Sequence, residues 1–359
     1  MKMCEALSQH YEVELIVPRR LNPIKRNSFE FYDVEQRFKI VRLPCLDFIT
    51  LGFGKVGFWL EAGTFFLAAK IYLLFQKKDI RYTRDFIAGF FLRDLIVEAH
   101  YLPEKISSVF RMFIKETKAW IVLTRFLAQE LVAEGVLEKN ILIAPDAVDI
   151  KKFDIPVTQQ ECRERLQLPK DKKIVLYTGH LYEWKGVDTL IVASALLDDS
   201  YIVYLVGGTV EDVARYKKKV EGNSRIVIVG HRSYLEIPLW LKAADVLVLP
   251  NMGEKAISRL YTSPMKLFEY MASKRPIISS DLPSLREILN ENNAFFVAPG
   301  DARGLAQEIK KNVGSNEARQ KTEKAFLDVQ QYTWEKRAKN IATYIENINP
   351  AIAAESREK

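Results

Sequence analysis

A repeated alternation constrains this chain more than any other feature. Short apolar runs, rich in Val and Ile and mostly closed by Gly or Pro, alternate with longer amphipathic stretches along nearly the whole sequence. Residues 12–18, 39–43, 80–83, 95–99, 120–124 and 141–144 read as strands in the first half. Residues 173–178, 201–206, 225–229, 246–249, 276–278 and 294–298 do so in the second. Such runs suit strands buried on both faces, and the amphipathic stretches between them supply the covering layers. The chain is therefore predicted to be α/β with parallel sheets. The alternation pauses over residues 157–173, a polar stretch bordered by Pro156 and containing Pro169, which is the expected linker, with a helix as a further reading of its ECRERLQL portion. The expected organisation is two Rossmann-like, doubly wound domains, 1–156 and 157–333, facing a cleft. Residues 334–359, set off by Tyr332-Thr333-Trp334, are expected to form a helix that packs back on the first domain.

Composition narrows the partners. With 359 residues and 48% hydrophobic content, two cores are within reach, and disorder is expected only for residues 353–359. Cys4, Cys45 and Cys162 show no CxxC spacing, and four histidines add no ligand pattern, so the expectation is reduced thiols, a cytoplasmic location, no metal site and no cofactor. The opening MKMCEALSQHYEV does not read as a signal peptide. A net charge of +7 favours anionic partners. The basic runs Lys77-Lys78 and Lys217-Lys218-Lys219 fall at predicted helix ends without interleaved aromatics, so nucleic acid is not expected. Residues 56–75 are long and apolar enough to suggest a membrane span, but Glu61 and Lys70 lie inside them. They read as a long, largely buried helix, with contact to a membrane surface as the lesser reading.

Ligands of doubly wound sheets bind beyond the carboxyl ends of the strands. That rule selects His100, residues 180–185, Gly230-His231 and residues 251–263. The richest stretch is SRLYTSPMKLFEYMASKRPIISSDLP, residues 258–283. Ser263 is predicted to cap a helix over 265–274, with Pro264 at its first position, and Lys266 and Glu269 share one face. A helix N-terminus and a lysine collect phosphate, and a carboxylate accepts hydrogen bonds from vicinal hydroxyls. Taken alone, the same stretch fits a capped amphipathic helix with a solvated Lys–Glu pair equally well.

TGHLYEWKGVDTLI, AADVLVLPN and SPMKLFEYMASKRPIISSDLP, all within residues 173–299, together resemble the retaining glycosyltransferases of the two-domain GT-B fold, group four. TGHLYEWKGVDTLI is similar to the element whose basic residues grip the donor diphosphate. Lys185 matches its lysine, Gly179 precedes the loop, and His180 stands where an arginine is usual. AADVLVLPN and SPMKLFEYMASKRPIISSDLP resemble the strand before the donor loop, and the donor-binding helix with its following strand. The family carries two glutamates with seven residues between them there. Glu269 matches the second, the ribose ligand, whereas Tyr261 occupies the first position. Thr262, Ser263 and Lys266, with Gly230 and His231, complete the implied donor contacts. VEAHYLP resembles the segment whose histidine approaches the donor sugar, giving His100. IAPDAVDIKKF is similar to the PNGVD-x-x-F turn, with Asp146-Ala147 replacing Asn-Gly.

The resemblance implies retaining, metal-independent transfer of a sugar from a nucleoside diphosphate sugar to a glycan or lipid-linked acceptor, as in polysaccharide biosynthesis. His100, Lys185 and Glu269 are its catalytic candidates. Peripheral membrane contact would suit a lipid-linked acceptor. Family members begin with a strand and a glycine-rich loop, whereas residues 1–9 match the helix that follows them, so N-terminal truncation is expected. Tyr261 and His180 favour a second reading, a non-catalytic nucleotide-sugar-binding subunit. A third is a nucleotide-sugar epimerase of the same fold, which would need its own acid/base pair. A dehydrogenase is disfavoured because no GxGxxG follows an early strand.

Overall fold

The computed structural model describes residues 1–21, 26–49, 52–76 and 80–349, so Lys77-Lys78 and residues 353–359 lie outside the described residues. Two compact units emerge: Met1–Ala144 together with the segment from Trp334, and Pro145–Thr333.

In the first unit, β1 (Glu14–Pro18) pairs in parallel with β2 (Lys39–Leu43). A separate parallel sheet runs β3-β4-β5-β6, formed by Arg81–Thr83, Leu95–Ala99, Ala119–Val122 and Ile141–Ile143. Every residue of β4 and β5 is buried, as in strands covered on both faces, and all but Glu98 are apolar. The helix Lys2–Leu7 packs on the helix Trp334–Ile348, burying Met3 and Ala6 against it.

One charge organises this unit. Glu98, on β4, is 0% exposed, and its carboxylate accepts from Arg84 at 2.7 Å, Arg337 at 3.2 Å, His100 Nε2 at 2.7 Å and the Tyr82 hydroxyl. Burial would raise the Glu98 carboxyl, but Arg337, His100 and Arg84 together hold it well below the usual carboxylate range.

The helix predicted over residues 56–75 exists as Gly54–Leu74, but it is not largely buried. Only Gly57, Glu61, Phe66 and Ala69 are buried, while Val56, Phe58, Trp59, Leu67, Ile71 and Leu74 are exposed. A helix apolar around its whole circumference can turn only one stripe to the sheet. Glu61, an argument for a soluble helix, is buried and ion-paired with Arg20.

The second unit holds six parallel strands: β7 (Lys173–Thr178), β8 (Tyr201–Val206), β9 (Ile226–Gly230), β10 (Val246–Leu249), β11 (Ile277–Ser280) and β12 (Phe295–Val297). Their order is β12-β11-β10-β7-β8-β9, with an apolar core on each face. The order reverses beside β7, which sets a switch point at its carboxyl end.

Residues 157–173 are not a linker. The helix Gln159–Arg165 starts from a capping box of Thr158 and Glu161, and Arg163 pairs with Asp245 at 2.6 Å. The unit boundary therefore falls at Ala144–Pro145, and Val148 donates its N–H to the Tyr332 carbonyl at 2.9 Å.

Replacing Glu98 with alanine leaves the buried Arg337 guanidinium without its carboxylate, at an expected cost of about 3–5 kcal/mol. Because the folded-state pKa of Glu98 is depressed, its contribution is present above the unfolded carboxylate pKa and fades as pH falls through the folded value. Urea unfolding should show Glu98→Ala losing less stability on acidification than the parent. Equal acid sensitivity would show that Glu98 is not the group responsible.

Candidate functional site

The site forms where β7 ends. Gly179 follows Thr178 with φ +121°, a conformation L side chains rarely adopt, and a Cβ there would lie 2.9 Å from Lys266 Nζ. Gly179 N–H donates to the Val206 carbonyl and Gly207 N–H to that of Gly230, each at 2.8 Å, which draws the ends of β7, β8 and β9 together.

Lys266 belongs to the helix Met265–Ala272, and its Nζ sits 3.9 Å from the centre of the Tyr177 ring. That Nζ is buried and has no hydrogen-bond partner. Burial, reinforced by repulsion from Lys185 and opposed by Glu269, holds Lys266 well below the ordinary lysine range. Lys185 lies on the short turn Glu183–Lys185, its Nζ 3.9 Å from the Trp184 ring, and burial lowers it to about 8. Gly186 then turns into the helix Val187–Ala195.

Three residues beyond Lys266, Glu269 is buried and accepts from the Tyr234 hydroxyl at 3.1 Å. Burial pushes its carboxyl up to about 7, with Asp146 adding to the rise and Tyr234 and Lys266 opposing it. A cationic pair beside a bare backbone turn suits an anion. A carboxylate one helical turn away suits hydroxyl groups on the same ligand.

Ser263 does not cap the helix. Pro264 occupies the cap position with extended backbone (ψ 125°), and the helix begins at Met265. The Ser263 hydroxyl instead accepts the Asp146 N–H at 3.0 Å, tying the turn at Asp146 to the head of this helix.

Gly179, Lys185, Lys266 and Glu269 thus gather on one side of the second unit. His180 turns its ring onto Tyr182, centroids 5.0 Å apart and nearly parallel, while its carbonyl accepts from Tyr177 at 2.6 Å. Gly230 ends β9 at φ +83°, and the His231 that follows is exposed. Tyr261 is buried at the end of a π-helical turn, Ile257–Tyr261, and Thr262 is half-buried beside it. His100 lies in the first unit, hydrogen-bonded to Glu98.

Sequence reasoning missed Tyr234 and Tyr177, which hold Glu269 and frame Lys266; neither sits in a motif. It also missed that Asn251 would be 0% exposed with neither amide atom bonded within the protein. Among the described residues, no group of three or more His, Cys, Asp or Glu side chains is placed to hold a metal ion.

Residues 172–314, inside the second unit, match the family described as glycosyl transferases group 1. The amylovoran biosynthesis glycosyltransferase AmsK of Erwinia amylovora is 26% identical over 217 residues, 59% of this chain and 51% of that protein. The UDP-Gal:alpha-D-GlcNAc-diphosphoundecaprenol alpha-1,3-galactosyltransferase of Escherichia coli is 25% identical over 172 residues, covering 45% of this chain and 42% of its own. The matched stretch spans about half or less of the length of such curated relatives. Among solved structures, sucrose-phosphate synthase from Thermosynechococcus elongatus superposes with a TM-score of 0.78 at 21% identity, covering 98% of this chain and 92% of that one. The fold is accordingly GT-B, with two Rossmann-like domains.

Glu269 keeps its proton in the folded state to about pH 7, whereas the unfolded chain loses it near 4.5. Folded protein therefore binds more protons in that window, and stability falls as pH rises through it. Glu269→Gln should stabilise the ligand-free protein by roughly 1–3 kcal/mol at pH 8 and by almost nothing at pH 4. Thermal unfolding at the two pH values checks this, and a gain independent of pH would contradict the raised pKa.

Proposed function

We propose that this protein is a glycosyltransferase that moves a sugar from a nucleoside diphosphate donor to a glycan or lipid-linked acceptor with retention at the anomeric carbon. The observation that carries the reading is the unpaired Lys266 ammonium buried against Gly179, with Lys185 near enough to depress its pKa and Glu269 three residues on. The diphosphate supplies the charge this pocket lacks, and the ribose hydroxyls donate to Glu269. The family match over residues 172–314 supports the same assignment.

In the proposed reaction, the bond between the anomeric carbon and the diphosphate oxygen breaks, and an acceptor oxygen takes its place on the same face of the sugar. Negative charge gathers on the leaving diphosphate, where Lys185 and Lys266 stabilise it more strongly than in the ground state. The leaving phosphate takes the acceptor's proton, so neither a dedicated base nor a metal ion is required of the protein. His100, its ring held by Glu98, is proposed as the sugar contact supplied by the first unit. Asp146 N–H, Ser263, Thr262 and Tyr261 define the wall of the donor loop, with Gly230 and His231 beside the base.

The exposed apolar side of the helix Gly54–Leu74 fits contact with a membrane that carries the acceptor. Trp59, Leu67, Ile71 and Leu74 lie on it, and Lys55 and Lys70 belong to the same helix. Vesicles of anionic lipid should float the protein at low salt and release most of it at high salt. Failure to float at low salt removes this part of the proposal.

Uridine diphosphate is a direct probe of the donor site. Lys185→Ala should weaken its binding by about 1.5–3 kcal/mol, read by calorimetry, without lowering the melting temperature of the free protein. In the parent, affinity should fall as pH rises past about 8, because binding then requires Lys185 to take up a proton. That decline should be shallower in Lys185→Ala, where only Lys266 remains to take up a proton. Unchanged affinity in the variant across several nucleoside diphosphates sinks the assignment.

A further inference from the structure

Where β10 ends, the second unit holds an amide that the protein itself leaves unserved. Asn251 stands two residues beyond Leu249, the last residue of β10, and is 0% exposed. Neither Oδ1 nor Nδ2 meets a hydrogen-bond partner among the described residues. Buried polar side chains are nearly always bonded, and an amide left bare costs stability at both atoms. Because both are bare, the point holds whichever way the amide is turned.

The backbone around Asn251 is held beside the proposed diphosphate clamp. β10 pairs with β7, Val246 opposite Val175 and Leu247 opposite Leu176. Carried past the strand ends, that register sets Pro250 level with Gly179 and Asn251 level with His180. Gly186, at the head of the helix Val187–Ala195, packs so closely that a Cβ there would collide with the Pro250 carbonyl oxygen. On the other side of Asn251, Met252 N–H donates to the Trp184 carbonyl at 3.0 Å. The residues flanking Asn251 are thus fastened to the loop that carries Lys185.

Position and chemistry together select the ligand. In the strand order, β10 and β9 lie on opposite sides of β7. Gly230 ends β9, and Tyr234, the partner of Glu269, follows it, so the proposed nucleoside contacts fall on that side. With the diphosphate at the end of β7, the rest of the donor, its sugar, falls toward β10. An ionised phosphate only accepts hydrogen bonds and would leave Oδ1 bare. A hydroxyl both donates and accepts, and two on neighbouring carbons serve both atoms of an amide. We propose that Asn251 reads a pair of hydroxyls on the transferred sugar and so helps set which sugar is accepted. This rests on the donor-site reading. The sugar reaches the amide by displacing the side chains that shield it, as the diphosphate must at the equally buried Lys266 Nζ.

The test is calorimetry on the full chain with UDP, GDP, UDP-glucose, UDP-galactose, UDP-N-acetylglucosamine and GDP-mannose. For the sugar nucleotide that the parent binds most tightly, Asn251→Ala should weaken binding about tenfold or more. The matching bare nucleotide should change by less than about twofold. Asn251→Ser, which keeps a shorter polar side chain, replaces the alanine variant if that one does not fold, with the same split in the same direction. Deoxy forms of the preferred sugar nucleotide, each lacking one hydroxyl, close the cycle. One of them should lose about tenfold against the parent and less than about twofold against the variant. Equal losses of bare and sugar nucleotide in the variant overturn the inference, as do unchanged sugar-nucleotide affinity and a deoxy penalty that persists in the variant. So does a parent that binds a bare nucleotide but none of the sugar nucleotides. All four leave the donor-site reading standing, whereas a parent that binds none of the six ligands overturns both.

Discussion

The second unit depends on an uncompensated charge. An ammonium group taken out of water without a partner costs several kcal/mol, and proteins normally pair it, neutralise it or keep it for a ligand. Lys266 has the face of Tyr177 on one side and the bare backbone of Gly179 on the other, and neither neutralises it. Burial pushes both groups toward their neutral forms: Lys266 is held well below its ordinary range while Glu269 is raised to about 7. Both shifts carry the site toward neutrality. On the donor site proposed above, a diphosphate would reverse the first of them.

Glu98 in the first unit shows the opposite solution. It is as deeply buried as any ligand-binding carboxylate, yet two arginines, a histidine and a tyrosine meet it. Burial alone would raise such a carboxyl, and the partners more than reverse it. A group so fully satisfied has little left to offer a ligand. Its work is to fix β4 to the helix Trp334–Ile348 and to orient the His100 ring. The two buried carboxyls therefore shift in opposite directions: up at Glu269, proposed above to meet a ligand, and down at Glu98, whose partners are supplied by the protein.

Local pattern carried most of the architecture. Runs such as YIVYLV and VLVLP are unambiguous because a strand buried on both faces tolerates no polar alternation, and both appear within a residue of where they were expected. Charge spacing at Lys266 and Glu269 was legible for the same reason, since three residues on a helix is a fixed geometry. What sequence could not show was set by tertiary contact. The Ser263 hydroxyl is claimed by Asp146, 117 residues away, so a local capping rule fails there. Polar composition suggested a linker at 157–173, but Arg163 finds Asp245 across 82 residues and the stretch folds into the second unit. Hydropathy also could not say how much of the helix Gly54–Leu74 would be covered, because its apolar residues surround it and only packing decides which stripe is used.

The choice of lysine at position 266 follows from the same balance. Arginine would present a wider fork to a phosphate, but its guanidinium stays protonated at any accessible pH, and the ligand-free pocket would then bury a permanent charge. Lysine is the cation whose pKa burial can lower, as it does here, and in the proposed site an anion would raise it again. Its single Nζ also fits against Gly179, where a Cβ would already be too close. His180, the neighbouring position with a basic side chain, stacks on Tyr182 and spends its ring on that contact. The proposed clamp therefore rests on two lysines of lowered pKa rather than on a fixed guanidinium. Such a clamp ties anion binding to proton uptake, which a site built on arginine would not do.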